Sequence, residues 1–191
     1  MPDLEQLIEL LRDPVSRAPL ELCDRAVVVR STGEEYARDG QLVDFVGDRT
    51  TGSSEDHYER FPFDIVEWQD VASRRAAVEK ELIELVEQIP AAATIFDVGC
   101  GPGRITIPLH ELGRQVVPVD LTREALAHVC QYCDIPLLRA SALNLPVRDS
   151  IADLVISTGV LHHTPDPRQG IAENCRIIKP GGRLYLRLFN K

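Results

Sequence analysis

From Ala93 onward the apolar residues come in short runs separated by amphipathic stretches, and this alternation predicts strands and helices in turn. The run Thr94-Ile95-Phe96-Asp97-Val98 predicts a first strand, residues 104–112 a helix, 115–119 a second strand and 123–130 a second helix. Strands at 136–139, 152–157 and 183–188 and a helix at 169–178 complete the pattern. Nearly continuous apolar runs suit strands covered on both sides, so the expectation is an α/β fold with a parallel sheet between helices.

The first half of the chain has a different rhythm. Leu4, Leu7, Ile8, Leu10 and Leu11 form a short helical stripe that Asp13-Pro14 interrupts. Residues 26–29 predict a strand, Gly33-Glu34-Glu35 a turn, and residues 36–45 two extended pieces around Asp39-Gly40. Residues 1–46 thus read as a small α+β unit and 47–70 as a linker carrying a cluster of rings. For His57, Tyr58, Phe61, Phe63 and Trp68 two readings stay open: they dock the linker on the core, or they form a lid over a ligand. Residues 72–88 predict one amphipathic helix at the head of a domain spanning 71–191.

Composition narrows the classes of function. Hydrophobic residues make up 44% of the 191, enough for a folded core. No apolar run approaches bilayer length and the N-terminus lacks the pattern of a signal peptide, so the expectation is a cytoplasmic chain without membrane association. Thirty acidic against 21 basic residues give a formal charge of -9, which works against nonspecific attraction to phosphate backbones. The five cysteines are too sparse for a disulfide framework. Cys130-Gln-Tyr-Cys133 has the spacing of half a metal site or of a redox pair, but no second pair follows, and structural thiols are the expectation.

The sharpest chemical signal is Asp97-Val98-Gly99-Cys100-Gly101-Pro102-Gly103-Arg104, directly after the first strand. Its glycines permit a tight turn at the start of a helix and let a ligand approach the backbone. They fall at every second position, unlike the G-x-G-x-x-G that seats a pyrophosphate, and an acid ends the strand. Asp97 is placed to orient the loop and to meet the ammonium group of an amino-acid-like ligand. Asp120 ends the second strand, where a carboxylate accepts hydrogen bonds from ribose hydroxyls; capping the helix from Arg123 is its alternative role.

Together with Ala142-Leu143-Asn144-Leu145-Pro146-Val147, Val160-Leu161-His162-His163 and Lys179-Pro180-Gly181-Gly182, these segments resemble, in order, the class I S-adenosylmethionine-dependent methyltransferases, in particular the type 11-like group, over about residues 70–191. The resemblance implies a Rossmann-like three-layer αβα sandwich with strand order 3-2-1-4-5. It implies S-adenosylmethionine as cofactor, with Gly99, Cys100, Gly101 and Gly103 around its methionine portion, Asp120 on the ribose and Leu121 against adenine. Ser141 stands where the family often has an acid near the adenine amine, and the Ala142 backbone serves beside it. Ser157, Thr158 and Gly159 would line the site beside the reactive methyl, and Lys179-Pro180-Gly181-Gly182 would be a structural turn. His162 and His163 are the candidate proton acceptors, with packing beside the cofactor as their other reading. No third ligand for a metal accompanies them.

Residues 4–45 resemble small Trm112-like zinc-ribbon modules, with Asp13 and Ser16 at two usual thiolate positions, which implies a metal-free module. The chain also stops short of the family's last helix and strand hairpin. That predicts a sheet edge at Leu184, Leu186 and Leu188 that is truncated, paired in a homodimer, or covered by the N-terminal unit. Methyl transfer to a small-molecule or specialised-metabolite acceptor is the leading expectation, with ribosomal RNA or tRNA as the alternative acceptor. A non-catalytic cofactor-binding or structural subunit is the alternative outside catalysis.

Overall fold

The computed structural model describes residues 3–47, 71–76 and 78–189; the ring cluster at 57–68 lies outside them. The chain opens with α1 (Leu4–Ile8), then four strands, β1 (Leu20–Leu22), β2 (Ala26–Val29), β3 (Glu35–Asp39) and β4 (Leu42–Asp44). Two short helices follow, α2 (Val71–Ala76) and α3 (Lys80–Glu87). The alternating region supplies β5 (Thr94–Val98), α4 (Thr106–Glu111), β6 (Gln115–Asp120), α5 (Arg123–Cys130), β7 (Leu137–Arg139) and β8 (Ala152–Thr158). A 3-10 turn at Leu161–His163, α6 (Pro167–Ile177) and β9 (Ile178–Arg187) complete it.

All nine strands form one sheet in the order β1-β2-β3-β4-β7-β6-β5-β8-β9. Counted from β5, the parallel strands run 3-2-1-4-5, but the sheet departs from the expected five-strand order because four N-terminal strands extend it beyond β7. The first four strands pair antiparallel, as short connections dictate, whereas β4 lies parallel to β7 with Val43 opposite Leu138. The N-terminal unit is therefore continuous with the main sheet. It sits at the β7 edge, opposite β9, so the expectation that it covers the β9 edge is corrected: β9 pairs with β8 on one side and ends the sheet.

Side chains alternate across the sheet and define two cores. Phe96 and Val98 of β5 pack with Leu4, Leu7 and Leu11 near the N-terminus and with Ile177 of α6. Ile95 faces the other way, onto Leu82 and Val86 of α3, Ile107 and Leu109 of α4, and Leu126 and Val129 of α5. Helices thus cover both faces.

Where local structure departs from the pattern, a side chain explains it. The single helix expected at 72–88 is two, because Val78 turns inward and Glu79 leaves helical geometry to receive hydrogen bonds from Tyr185 Oη (2.9 Å) and Arg187 of β9. Lys179-Pro180-Gly181-Gly182 is an irregularity inside a longer β9: the register slips between Ala152 opposite Ile178 and Leu154 opposite Arg183. Asp13 and Ser16 are bonded to one another. Asp13 accepts from Ser16 N and Oγ (2.5 Å each) and from Tyr36 Oη (2.5 Å). Burial would raise that carboxyl, but these hydrogen bonds outweigh it and hold it below its ordinary value.

Candidate cofactor site

The glycine turn joins β5 to α4 along the carboxyl end of the sheet. Gly99, Gly101 and Gly103 all take left-handed conformations, φ 76°, 52° and 91°. The first three amides of the turn are committed to β6. Gly99 N and Cys100 N donate to Val119 O (2.7 and 3.1 Å), and Gly101 N donates to Asp120 Oδ2 (2.8 Å). At Gly99 and Gly101 the turn presents a strip of backbone without a side chain, stitched to the neighbouring strand.

Two adjoining cavities lie against that strip. The larger, about 330 Å³, is lined by Asp97, Gly99, Cys100, Gly101 and Thr158, with Arg187 and Phe189 at its rim. The smaller, about 60 Å³, is lined by Leu121, Ser141, Ala142 and Leu143. Gly99, Asp120, Val160 and His163 border both. Val160 stands hard against the turn: a Cβ on Gly99 would lie 2.3 Å from its Cγ2. Val160 opens the Val160-Leu161-His162-His163 segment but was not among the expected site residues.

Two buried carboxylates face this space. Asp97 is 2% exposed and accepts from Thr106 Oγ1 (2.6 Å), a contact between the end of β5 and the first residue of α4. Burial, with the charge of Asp120 added, pushes Asp97 up to about 7 despite the Thr106 hydrogen bond. Asp120 is raised as well, chiefly by burial and against hydrogen bonds from Thr122 and Gly101. Its Oδ1 accepts from Thr122 N and Oγ1 (2.9 Å each) and its Oδ2 from Gly101 N. The Asp120 carboxylate is thus held by the turn and by Thr122 where it borders both cavities. Cys100 is buried beside them, its thiol raised well above its ordinary value by burial and by both carboxylates.

Three other expected site residues fall elsewhere. A Cβ on Gly103 would meet Ile107 and Val129 side chains at 2.8 and 2.9 Å, so this glycine lets α4 and α5 pack closely and does not border the cavity. Ser157 is fully buried and points away from the cavity that its neighbour Thr158 lines, because successive strand residues face opposite sides. His162 packs on His163 (ring centroids 3.9 Å apart) and edge-on to Phe189 (5.4 Å), leaving His163, which is exposed, at the junction of the two cavities.

Residues 96–186 match the model of the family described as "Methyltransferase domain". This segment is similar to methyltransferase domains, a similarity that supports S-adenosylmethionine as its cofactor. The chain is similar to a tRNA (carboxymethyluridine(34)-5-O)-methyltransferase of Arabidopsis thaliana, 30% identical over 125 residues, which is 62% of this chain and 29% of that protein. It is also similar to a ubiquinone biosynthesis O-methyltransferase of Xanthomonas axonopodis pv. citri, 32% identical over 108 residues, 53% of this chain and 45% of that one. The chain therefore spans less than half the length of these relatives. Among solved structures, a SAM-dependent methyltransferase from Thermotoga maritima shares the fold of the domain with 25% identity and a TM-score of 0.54, over 70% of this chain and 60% of its own. A Pyrococcus horikoshii protein shares it with a TM-score of 0.57 and 23% identity, over 69% and 60%. The methyltransferase-domain match begins at Phe96 and so lends nothing to the Trm112-like resemblance of the N-terminal unit.

The donor set of this segment fits S-adenosylmethionine. A site that buries two carboxylates, both with raised proton affinity, favours a ligand carrying positive charge, as a sulfonium and an ammonium do, and repels a diphosphate. The side-chain-free strip lets such a ligand run past Gly99 and Gly101 from one cavity to the other. Among the described residues, no group of three His, Cys, Asp or Glu is arranged to hold a metal ion, and no helix is long and apolar enough to cross a membrane.

Proposed function

We propose that the chain transfers a methyl group from S-adenosylmethionine to a small-molecule acceptor. The observation that carries this reading is the pair of buried carboxylates, Asp97 and Asp120, facing one glycine-lined cavity that continues into an uncharged recess at Leu121, Ser141 and Ala142. When bound, the cofactor supplies an electrophilic methyl, so catalysis asks chiefly for positioning. Asp97 holds the cationic amino-acid end; Asp120 accepts from the ribose; Leu121 and Ala142 flank the base. Phe189 and Val160 supply apolar walls to the reacting space. His163, at the junction, is the histidine placed to hold an acceptor's proton, whereas His162 supports Phe189.

The charge of -9 disfavours a polyanionic acceptor. RNA is the second reading, favoured by the similarity to a tRNA methyltransferase. Calorimetric titration with S-adenosylmethionine, S-adenosylhomocysteine and NAD tests the cofactor assignment: saturable binding of the first two alone supports it, and a folded sample that binds neither sinks it. Transfer of labelled methyl from the cofactor into a small-metabolite extract, with total RNA in parallel, decides the acceptor. Label in RNA alone overturns the small-molecule reading.

A further inference from the structure

The adenosine side of the site is braced from an unexpected direction. β4 ends at Asp44, directly opposite Arg139 at the end of β7. Asp44 is 2% exposed and all its acceptor positions are occupied: Oδ1 takes Val46 N and Gly47 N (2.9 Å each), while Oδ2 takes Arg139 Nη1 (3.0 Å) and Arg123 Nη2 (2.5 Å). Arg139 is thereby fixed in its plane, and its Nε donates to the carbonyl of Leu121 (3.0 Å). Leu121 is one wall of the smaller cavity. The opposite wall starts immediately after Arg139, at Ala140, whose N donates to Asp120 O (2.9 Å). One buried guanidinium, held by a carboxylate from the N-terminal unit, is therefore bonded to one of these segments and adjoins the other in sequence.

We propose that Asp44 and Arg139 are positioning residues for the adenosine end of the cofactor, so that the N-terminal strands control cofactor affinity without touching the cofactor. This rests on the S-adenosylmethionine reading above. The planar fork is what the task needs: a lysine at 139 keeps a charge near Asp44 but cannot bond Asp44 and the Leu121 carbonyl together in fixed geometry. A residue that merely held the fold would lower thermal stability and affinity in step. A positioning residue lowers affinity for adenosine-bearing ligands at unchanged stability.

The test is calorimetric affinity of the 191-residue chain for S-adenosylmethionine and 5′-methylthioadenosine, beside a thermal melt, for the parent, Arg139→Lys and Asp44→Asn. The expected result is about tenfold weaker binding of both ligands by Arg139→Lys, by the same factor, with a melting temperature within a few degrees of the parent. Asp44→Asn is expected to move affinity in the same direction and decides the question if the lysine variant does not fold. If the parent binds and the folded variants bind within about twofold of it, the positioning role is overturned while the cofactor reading stands. If affinity falls only as far as the melting temperature does, the pair is structural and the proposal fails. A parent that binds neither ligand overturns both readings.

Discussion

The two ends of the proposed cofactor site, one for methionine and one for adenosine, are built in opposite ways. The methionine end comes largely from one stretch of ten residues, Asp97 to Thr106, in which three left-handed glycines and a Thr-to-Asp hydrogen bond are set by local sequence. The adenosine end is assembled from segments far apart in the chain: Asp120 to Thr122, Ala140 to Leu143, Val160 to Pro165, and behind them Asp44. Each of those depends on which strands neighbour one another. A site can therefore be robust at one end and conditional at the other. Damage to the sheet's N-terminal strands reaches the adenosine end first.

The largest effect is expected from Gly99→Ala. The residue has φ 76°, and its new Cβ would lie 2.3 Å from Val160 Cγ2, so strain and collision act together where the cofactor must pass. Cofactor binding should fall by about 100-fold or more in calorimetry, with a loss of about 2–3 kcal/mol in stability by denaturant melts. Gly113→Ala separates the two causes. It shares the left-handed conformation, φ 72°, but has nothing within 4 Å of the new Cβ, so it should lose about 1 kcal/mol of stability and no affinity. Near-parent affinity in Gly99→Ala would break the claim that bare backbone defines the methionine end.

Asp97 gives the next effect, and its sign is opposite for stability and binding. Its folded proton affinity, about 7, lies above the unfolded value near 3.8. Between those limits the folded chain binds a proton that the unfolded chain has released, so stability declines as pH rises from about 4 to about 7. The whole decline is at most about 4 kcal/mol for a shift of this size in a carboxylate coupled to Asp120. Asp97→Asn should therefore melt higher than the parent at pH 8, match it near pH 4, and bind the cofactor weakly. A variant no more stable at pH 8 would show that the buried charge is already compensated.

The same proton is expected to appear in binding. A cationic ligand draws Asp97 into its ionised form, so S-adenosylmethionine affinity should rise with pH up to about 7 and level off above it. Titrations at pH 6 in buffers of different ionisation enthalpy should report proton release approaching one per site, and almost none at pH 8.5. Proton release that is equal at both pH values would remove Asp97 from the ammonium contact.

The contrast between the two ends also explains what was legible in the sequence. Glycine spacing, the acids ending β5 and β6, and the order of strands and helices after Ala93 are local signals, and the structure places them at one site. The joining of β4 to β7 is not local: Val43 and Leu138 are paired across the chain, and two charged residues at strand ends, Asp44 and Arg139, were its only trace. Thr106 escaped notice because its role depends on the turn bringing it back over Asp97. Ser157 and Thr158 were both expected at the site; Thr158 lines the cavity, while the Ser157 side chain is buried. Gly103 is a glycine whose spacing matches a ligand motif but whose missing side chain serves helix packing.

The smallest expected effect sharpens the adenosine end itself. Ser141 lines the smaller cavity at the position where similar methyltransferases often carry an acid, and its Oγ accepts from Leu143 N (3.2 Å). An aspartate there can keep that bond with one oxygen, as short acidic side chains do in turns, and present the other to an adenine amine. It also adds a third carboxylate near Asp120, which is already raised by burial, so the two effects oppose one another. Ser141→Asp should therefore tighten S-adenosylmethionine binding by only about threefold at pH 8. The gain should vanish for the analogue in which hypoxanthine replaces adenine, because that base presents an oxygen where adenine presents its amine. Equal tightening of both ligands would mean that the added charge acts on the sulfonium from a distance and that Ser141 does not face the base.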